Sequence, residues 1–170
     1  MEFNDVIKNR YACRKYADRP VEQPVLDGIL DVGRLAPTSV DQQEQHVVVI
    51  RSGEGLKTVD DLTECRYGAP VVLLITFDRN DVYTYPGGKY DSGVEDASIA
   101  LTHMMLAATN LGLGSCWVNA FDPDAVRKAF SVPDTEEIVA MLDLGYPAAD
   151  AAPSAKHGRR KPLEELVSYR

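Results

Sequence analysis

Residues 100–130 read ALTHMMLAATNLGLGSCWVNAFDPDAVRKAF. The first part, with VEDASI before it, is apolar around most of a helical circumference, so it reads as a long helix buried on several sides. Such a helix packs either on a sheet and another helix or on a second subunit. Gly112 and Gly114 are its stop signals. SCWVNAF, 115–121, follows as a strand, and Asp122 before Pro123 is an N-cap with proline at the first helical position. Helix, glycine stop, strand and capped helix in 31 residues predict a layered mixture of helices and strands.

The flanks repeat that alternation. APVVLLITF, 69–77, is apolar at nearly every position and predicts a strand covered on both faces. HVVVI, 46–50, is a β-branched strand, and EIVAMLDLGYP, 137–147, is another, ended by Gly-Tyr-Pro. VEQPVLDGILDVGRLAP, 21–37, is an amphipathic helix that must stop before Pro37, and GLKTVDDLTEC, 55–65, predicts a shorter one. MEFNDVIKNR reads as an N-terminal amphipathic helix and not as a leader. DRNDVYTYPGGKYDSG, 78–93, is the one long loop. No repeat or linker interrupts the 170 residues, so the expectation is one domain spanning 1–170.

Composition excludes more than it assigns. The chain carries 18 basic and 26 acidic residues, a formal net charge of −8, which argues against nucleic acid as a partner. No apolar run reaches membrane-spanning length, and Cys13, Cys65 and Cys116 are too scattered for a disulfide framework. A cytoplasmic protein with free thiols, without a membrane partner, is expected. His46, His103 and His157 lack metal-ligand spacing, no Walker motif occurs, and the Gly-x-Gly of GLGS lies between helix and strand, not between strand and helix. No GxSxG elbow surrounds Ser39, Ser92 or Ser115, and Cys116 sits in an apolar strand where it packs. No side chain stands out as a catalytic acid, base or nucleophile, and no metal is expected.

What remains is a concentration of cations at the chain ends. Lys8, Arg10, Arg14, Lys15 and Arg19 lie within residues 1–20, and Lys156, Arg159, Arg160 and Lys161 within 156–161, together half of the 18 basic residues. Arg10 and Arg14 stand four apart and would share a face if helical turns persist there. Arginine suits bidentate phosphate binding. Taken alone, the two runs read equally as a phosphate site or as a solvated charged face.

The order of these pieces resembles the nitroreductase family over nearly the whole chain. RYACRKYADRPV is similar to the family's N-terminal arginine signature, and LAPTSVDQQEQHVVVI to its AP-S-x-x-N-x-Q-P-W segment. The stretch from Ala100 to Phe130 is similar to its central helix, GLG turn and C-W strand, and IVAMLDLGYPA with RRKPLEEL to its closing strand and C-terminal arm. The resemblance implies an α+β fold with a central mixed sheet flanked by helices, in an intertwined homodimer with FMN at the subunit interface. It implies an FMN-dependent oxidoreductase that uses NAD(P)H to reduce a small planar acceptor, nitroaromatic or quinone-like, by ping-pong hydride transfer. Its alternatives are a flavin binder of the same fold without turnover, or a superfamily member that dehalogenates its substrate or destroys flavin.

By the same resemblance Arg10 and Arg160, with Arg159, hold the FMN phosphate, and Tyr11 and Ala12 lie in the same turn. Arg14 lies toward N1 and C2=O of the flavin. Pro37, Thr38, Ser39 and Asp41 reach the cofactor from the partner subunit, and Val118, Asn119 and Ala120 form the strand end whose backbone amide faces N5. The chain departs from the family pattern at Ala12 in place of serine, Asp41 in place of asparagine and Glu44–Gln45 in place of Pro–Trp. It is also short between the strand 69–77 and the long helix.

Overall fold

The structure is a computed structural model that describes residues 1–170. Its elements run α1 (Phe3–Asn9), α2 (Gln23–Arg34), β1 (Gln45–Ile50), α3 (Gly53–Leu62), β2 (Val71–Asp78), α4 (Gly93–Asn110), β3 (Gly114–Val118), α5 (Pro123–Phe130) and β4 (Glu136–Gly145). The strands form one sheet in the order β1-β2-β4-β3. The layered α+β expectation holds, with one difference inside the sheet. All three strand pairings are antiparallel where a mixed sheet was expected, and the parallel element is a single bridge from Ala12 to Ser115.

β2 is the central strand, and every residue from Val71 to Phe77 is buried. Alternation along it divides the core in two. Val71, Leu73, Ile75 and Phe77 pack with Leu142 and Leu144 against α2 and α4, through Leu26, Ile29, Leu101 and Met104. Val72 and Leu74 face the other way, with Met141, Cys116 and Val118, against Val59 of α3 and Val126 of α5. The sheet is thus sandwiched between two helical layers. Fully burying each of these aliphatic side chains contributes about 1.5–3 kcal/mol. No helix is long and apolar enough to cross a membrane.

Local signals set the element ends. Pro24 occupies the first turn of α2, Asp122 caps α5 by accepting from the Asp124 N–H, and α4 ends at Leu111 with Gly112 at φ +82°. Gly114 is not part of that stop: it opens β3. β3 ends at Val118, so Asn119–Phe121 leave the sheet earlier than the sequence suggested.

The segment after α1 is not helical. Arg10 caps α1 with extended backbone, and residues 12–17 lie along the sheet edge. The Cys13 N–H donates to Ser115 O (2.8 Å), the Ala17 N–H to Tyr146 O (2.8 Å) and the Ala148 N–H to Lys15 O (3.1 Å). Two glycines make room for this segment. Gly114 and Gly145 are cross-strand partners, and a Cβ on Gly114 would sit 2.7 Å from Cys13, one on Gly145 2.9 Å from Tyr16 and 2.6 Å from Pro70.

Beneath it, Asp143 of β4 is buried with Oδ2 lacking any hydrogen-bond partner. Burial pushes its carboxyl up to about 8, only partly opposed by the charge of Arg66. Cys116, its neighbour across the strands, is likewise pushed up to about 11 by burial, so its thiol stays protonated and packs.

Two outcomes are expected. Gly114→Ala should destabilise the protein by about 1–3 kcal/mol in chemical denaturation, because the new methyl must displace backbone-bonded Cys13. Asp143 should make stability fall as pH rises. Its folded value lies above the ordinary carboxylate range, so the stability of the neutral form is complete at about pH 4 and is lost as pH rises through about 8. Asp143→Asn should match the wild type in acid and exceed it at alkaline pH; parallel denaturation profiles across that window would contradict the assignment.

Candidate functional site

Extended backbone at residues 10–14 gives a period of two, so Arg10, Ala12 and Arg14 lie on one side without the helix the sequence allowed for. The docking of this segment on β3 and β4 brings it against the chain's other end. Arg10, Tyr11, Ala12 and Arg14 line a cleft of about 210 Å3 together with Ser154, Lys156, His157 and Arg160. The His157 ring meets the Tyr11 ring edge-on at 6.3 Å between centroids. Arg160 donates to the carbonyls of His157 and Arg159, which curls the C-terminal segment and fixes the base of its side chain. The Arg14 guanidinium lies over the Tyr67 ring, 5.8 Å from its centroid. Tyr67 itself holds a left-handed backbone (φ +53°) in the turn after α3.

Pairing separates most of the cations of the two basic runs; Lys8 and Arg159 neither pair with a carboxylate nor line the cleft. Lys15 binds Asp150, Arg19 binds Glu22 and Lys161 binds Glu165. Arg10, Arg14, Lys156 and Arg160, which line the cleft, pair with no carboxylate. In a chain with eight more acids than bases, a cleft of unpaired cations suits an anion. Arg159 does not line the cleft; Lys156 and His157 stand there in its place.

The other predicted groups lie elsewhere in the chain. Val118 is three residues beyond Ser115 on β3, about 10 Å further along the strand. Asn119 and Ala120 follow, exposed, and their backbone N–H groups donate to no protein acceptor. Their geometry is nevertheless fixed. The Asn119 side chain is turned back onto the sheet, accepting from Trp117 Nε1 and donating to Val139 O at 2.7 Å. The Ala120 carbonyl accepts from Thr63 Oγ1 at 2.7 Å, and the same hydroxyl accepts from the Cys65 N–H. Two exposed N–H groups, held but unused, suit a polar atom of a bound molecule.

Pro37, Thr38, Ser39 and Asp41 share neither a cleft nor a hydrogen bond with Arg10, Arg14 or Arg160 in the same chain. They form a tight turn with left-handed backbone at Val40 (φ +48°), Asp41 (+60°) and Gln43 (+56°). None of these is glycine, and for the β-branched Val40 the strain is of order 1–3 kcal/mol. Asp41 stands exposed with its Oδ1 accepting from Gln43 Nε2 at 2.9 Å, so the carboxylate the family pattern does not expect is partly engaged by an amide.

Lys156, His157, Thr63 and Tyr67 were not singled out from sequence. Lys156 was counted in the C-terminal basic run, and that count is the signal that could have placed it at the site. Thr63 and Tyr67 act through contacts across 57 and 53 positions and leave no local pattern.

The sequence model described as "Nitroreductase family" matches residues 7–67 and 62–146. A protein of Methanothermobacter thermautotrophicus, named as a candidate NADH dehydrogenase/NAD(P)H nitroreductase, is 33% identical over 157 residues, covering 87% of this chain and 78% of that protein. The crystal structure of a nitroreductase family protein from Clostridium difficile 630 superposes with a TM-score of 0.92 at 40% identity, over 99% of this chain and 98% of that one. A nitroreductase-type protein of Exiguobacterium sibiricum, solved in complex with FMN, has the same fold at 20% identity, with a TM-score of 0.87 over 100% and 98% of the two chains. The signature arginines, the strained turn, the β3 end and the C-terminal arm fall within one shared architecture, and the chain belongs to the nitroreductase family.

Proposed function

We propose that the protein is a homodimeric, FMN-dependent oxidoreductase that takes electrons from NAD(P)H and delivers them to a small planar acceptor. The observation that carries this reading is the cleft of unpaired cations made where the two chain ends meet. A phosphate monoester fits it: Arg10 and Arg160 offer planar forks, and Lys156 and His157 add donors. Arg14, set apart on Tyr67, would lie toward the N1 and C2=O side of the flavin, where reduction places negative charge. The unused N–H groups of Asn119 and Ala120 would face N5, with Thr63 and Trp117 keeping them in place.

When bound, FMN would supply the carrier for two electrons, taken up and passed on as a hydride, so the protein needs no nucleophile or acid–base pair of its own. The chain's own work is to hold the phosphate, orient the ring by backbone donors and set its charge environment. Donor and acceptor would use the same place in turn.

Dimerisation is supported by the surface. α1, α2 and α4 leave an apolar groove of about 530 Å3 lined by Phe3, Val6, Val32, Leu106, Ala107 and Leu111. The C-terminal segment also exposes Leu163, Leu166, Val167 and Tyr169, apolar side chains that a second subunit would cover. Such a dimer would supply Pro37–Asp41 to the partner's cofactor, since these residues do not meet the cation cleft of their own chain. The FMN-bound relative supports the cofactor for this fold.

The purified protein should show flavin absorbance, and NADH or NADPH should bleach it under anaerobic conditions. A yellow protein that neither nicotinamide bleaches would be a binder without turnover. Arg10→Ala combined with Arg160→Ala removes two charge-assisted contacts of about 1.5–3 kcal/mol each, so FMN affinity should fall at least about a hundredfold. Unchanged flavin content in that variant would overturn the phosphate assignment.

A further inference from the structure

Glu44 stands where the family pattern has proline, and the structure gives it a buried partner. Glu44 is 6% exposed and Asp96, in the first turn of α4, is 2% exposed. Asp96 accepts from the Ser39 N–H at 2.9 Å and from Ser39 Oγ at 3.2 Å. Glu44 Oε1 accepts from the buried Ser92 hydroxyl at 2.9 Å, and Ser92 in turn accepts from the Tyr83 N–H. Glu44 Oε2 is buried and has no donor.

Two carboxyl groups in one buried place cannot both ionise cheaply. Asp96 already accepts two hydrogen bonds and sits at a helix N-terminus. Glu44, with one donor and one orphaned oxygen, is the better acid. A proton on its Oε2, donated to Asp96, satisfies the orphan and removes the repulsion. Burial pushes the Glu44 carboxyl up, and the neighbouring Asp96 adds to it. The titratable groups near the pair are Glu95 of α4, Tyr83 and Tyr85 of the turn 83–92, and Asp78 at the end of β2; none of these is cationic.

We infer that Glu44 and Asp96 share one proton, and that this proton holds the strained Thr38–Gln43 turn in the conformation that grips FMN. Asp96 is the residue through which it acts, since it alone ties Ser39 to α4. Glu44 and Asp96, both buried, are positioning residues that act through Ser39. The turn needs such a tie because its left-handed residues favour relaxation. The inference rests on the proposal that Pro37–Asp41 reach the flavin of the partner subunit.

The direction of the pH effect follows from the shared proton. It is complete at low pH and lost as pH rises through the raised Glu44 value, leaving two buried carboxylates that repel. Wild-type FMN affinity, read by quenching of flavin fluorescence, should fall on the alkaline side by up to about tenfold per pH unit, the limit for one linked proton. The thermal stability of the FMN-free protein should fall over the same window. Glu44→Gln places a permanent donor on Asp96 and should flatten both profiles, and Asp96→Asn should weaken the pH dependence without abolishing it, because burial alone still raises Glu44. If the variants flatten stability but not FMN affinity, the shared proton stands and the placing of the turn at the cofactor falls. Stability profiles parallel to the wild type in both variants would overturn the inference.

Discussion

Much of this structure depends on one close approach, that of residues 12–17 to the paired glycines Gly114 and Gly145. Without side chains at those two positions, the segment can bond its backbone to both β3 and the chain after β4. That contact sets where α1 ends, keeps Arg10 and Arg14 on one side, and brings the N-terminal run against residues 154–160. The cation cleft is therefore a consequence of sheet-edge packing. An acidic protein can hold such a site because the cations are placed by backbone and packing, and not by carboxylates that would neutralise them.

The same logic explains why the cleft cations lack carboxylate partners while Lys15, Arg19 and Lys161 have them. Lys15, Arg19 and Lys161 are exposed and meet acids that cost little to pair and contribute little. At Arg10, Arg14 and Arg160 an internal carboxylate would compete with a phosphate for the same forks. Leaving them unpaired raises the local potential, a standing repulsion that a bound anion relieves. Such sites are held at some expense of stability, and the buried aliphatic core on both faces of β2 offsets it.

Much of the fold was legible because its signals are local. The β-branched run of β2, the proline and cap of α5 and the apolar circumference of α4 each fix an element within a few residues. Sheet order and strand sense were not legible, since pairing Ala140 with Ile75 leaves no mark on either segment. Gly114 shows the limit well. Beside Gly112 it read as part of a helix stop, but its lack of a side chain serves Cys13, about a hundred positions away. The site divides in the same way. Arg10, Arg14 and Arg160 stand out by type and position and take their expected roles from the family resemblance, whereas Thr63 and Tyr67 matter only for where folding puts them.

Glu44 shows how a departure from a family pattern can be read physically. Replacing proline with an acid restores a backbone N–H, adds an ionisable group and frees φ, any of which could be neutral on a surface. Here the side chain turns inward, against a second carboxyl and a buried hydroxyl. A buried acid beside another is destabilising unless a proton is shared, so its presence is informative about the turn it anchors. The turn carries left-handed strain at Val40, Asp41 and Gln43, and strain of that kind persists only where surrounding contacts over-determine the backbone. Ser39 bound twice to Asp96, Gln43 bound to Thr38 and to Asp41, and Glu44 bound to Ser92 are those contacts. Where proline would stiffen the chain covalently, this protein stiffens it through hydrogen bonds, and hydrogen bonds between acids respond to pH where a pyrrolidine ring does not.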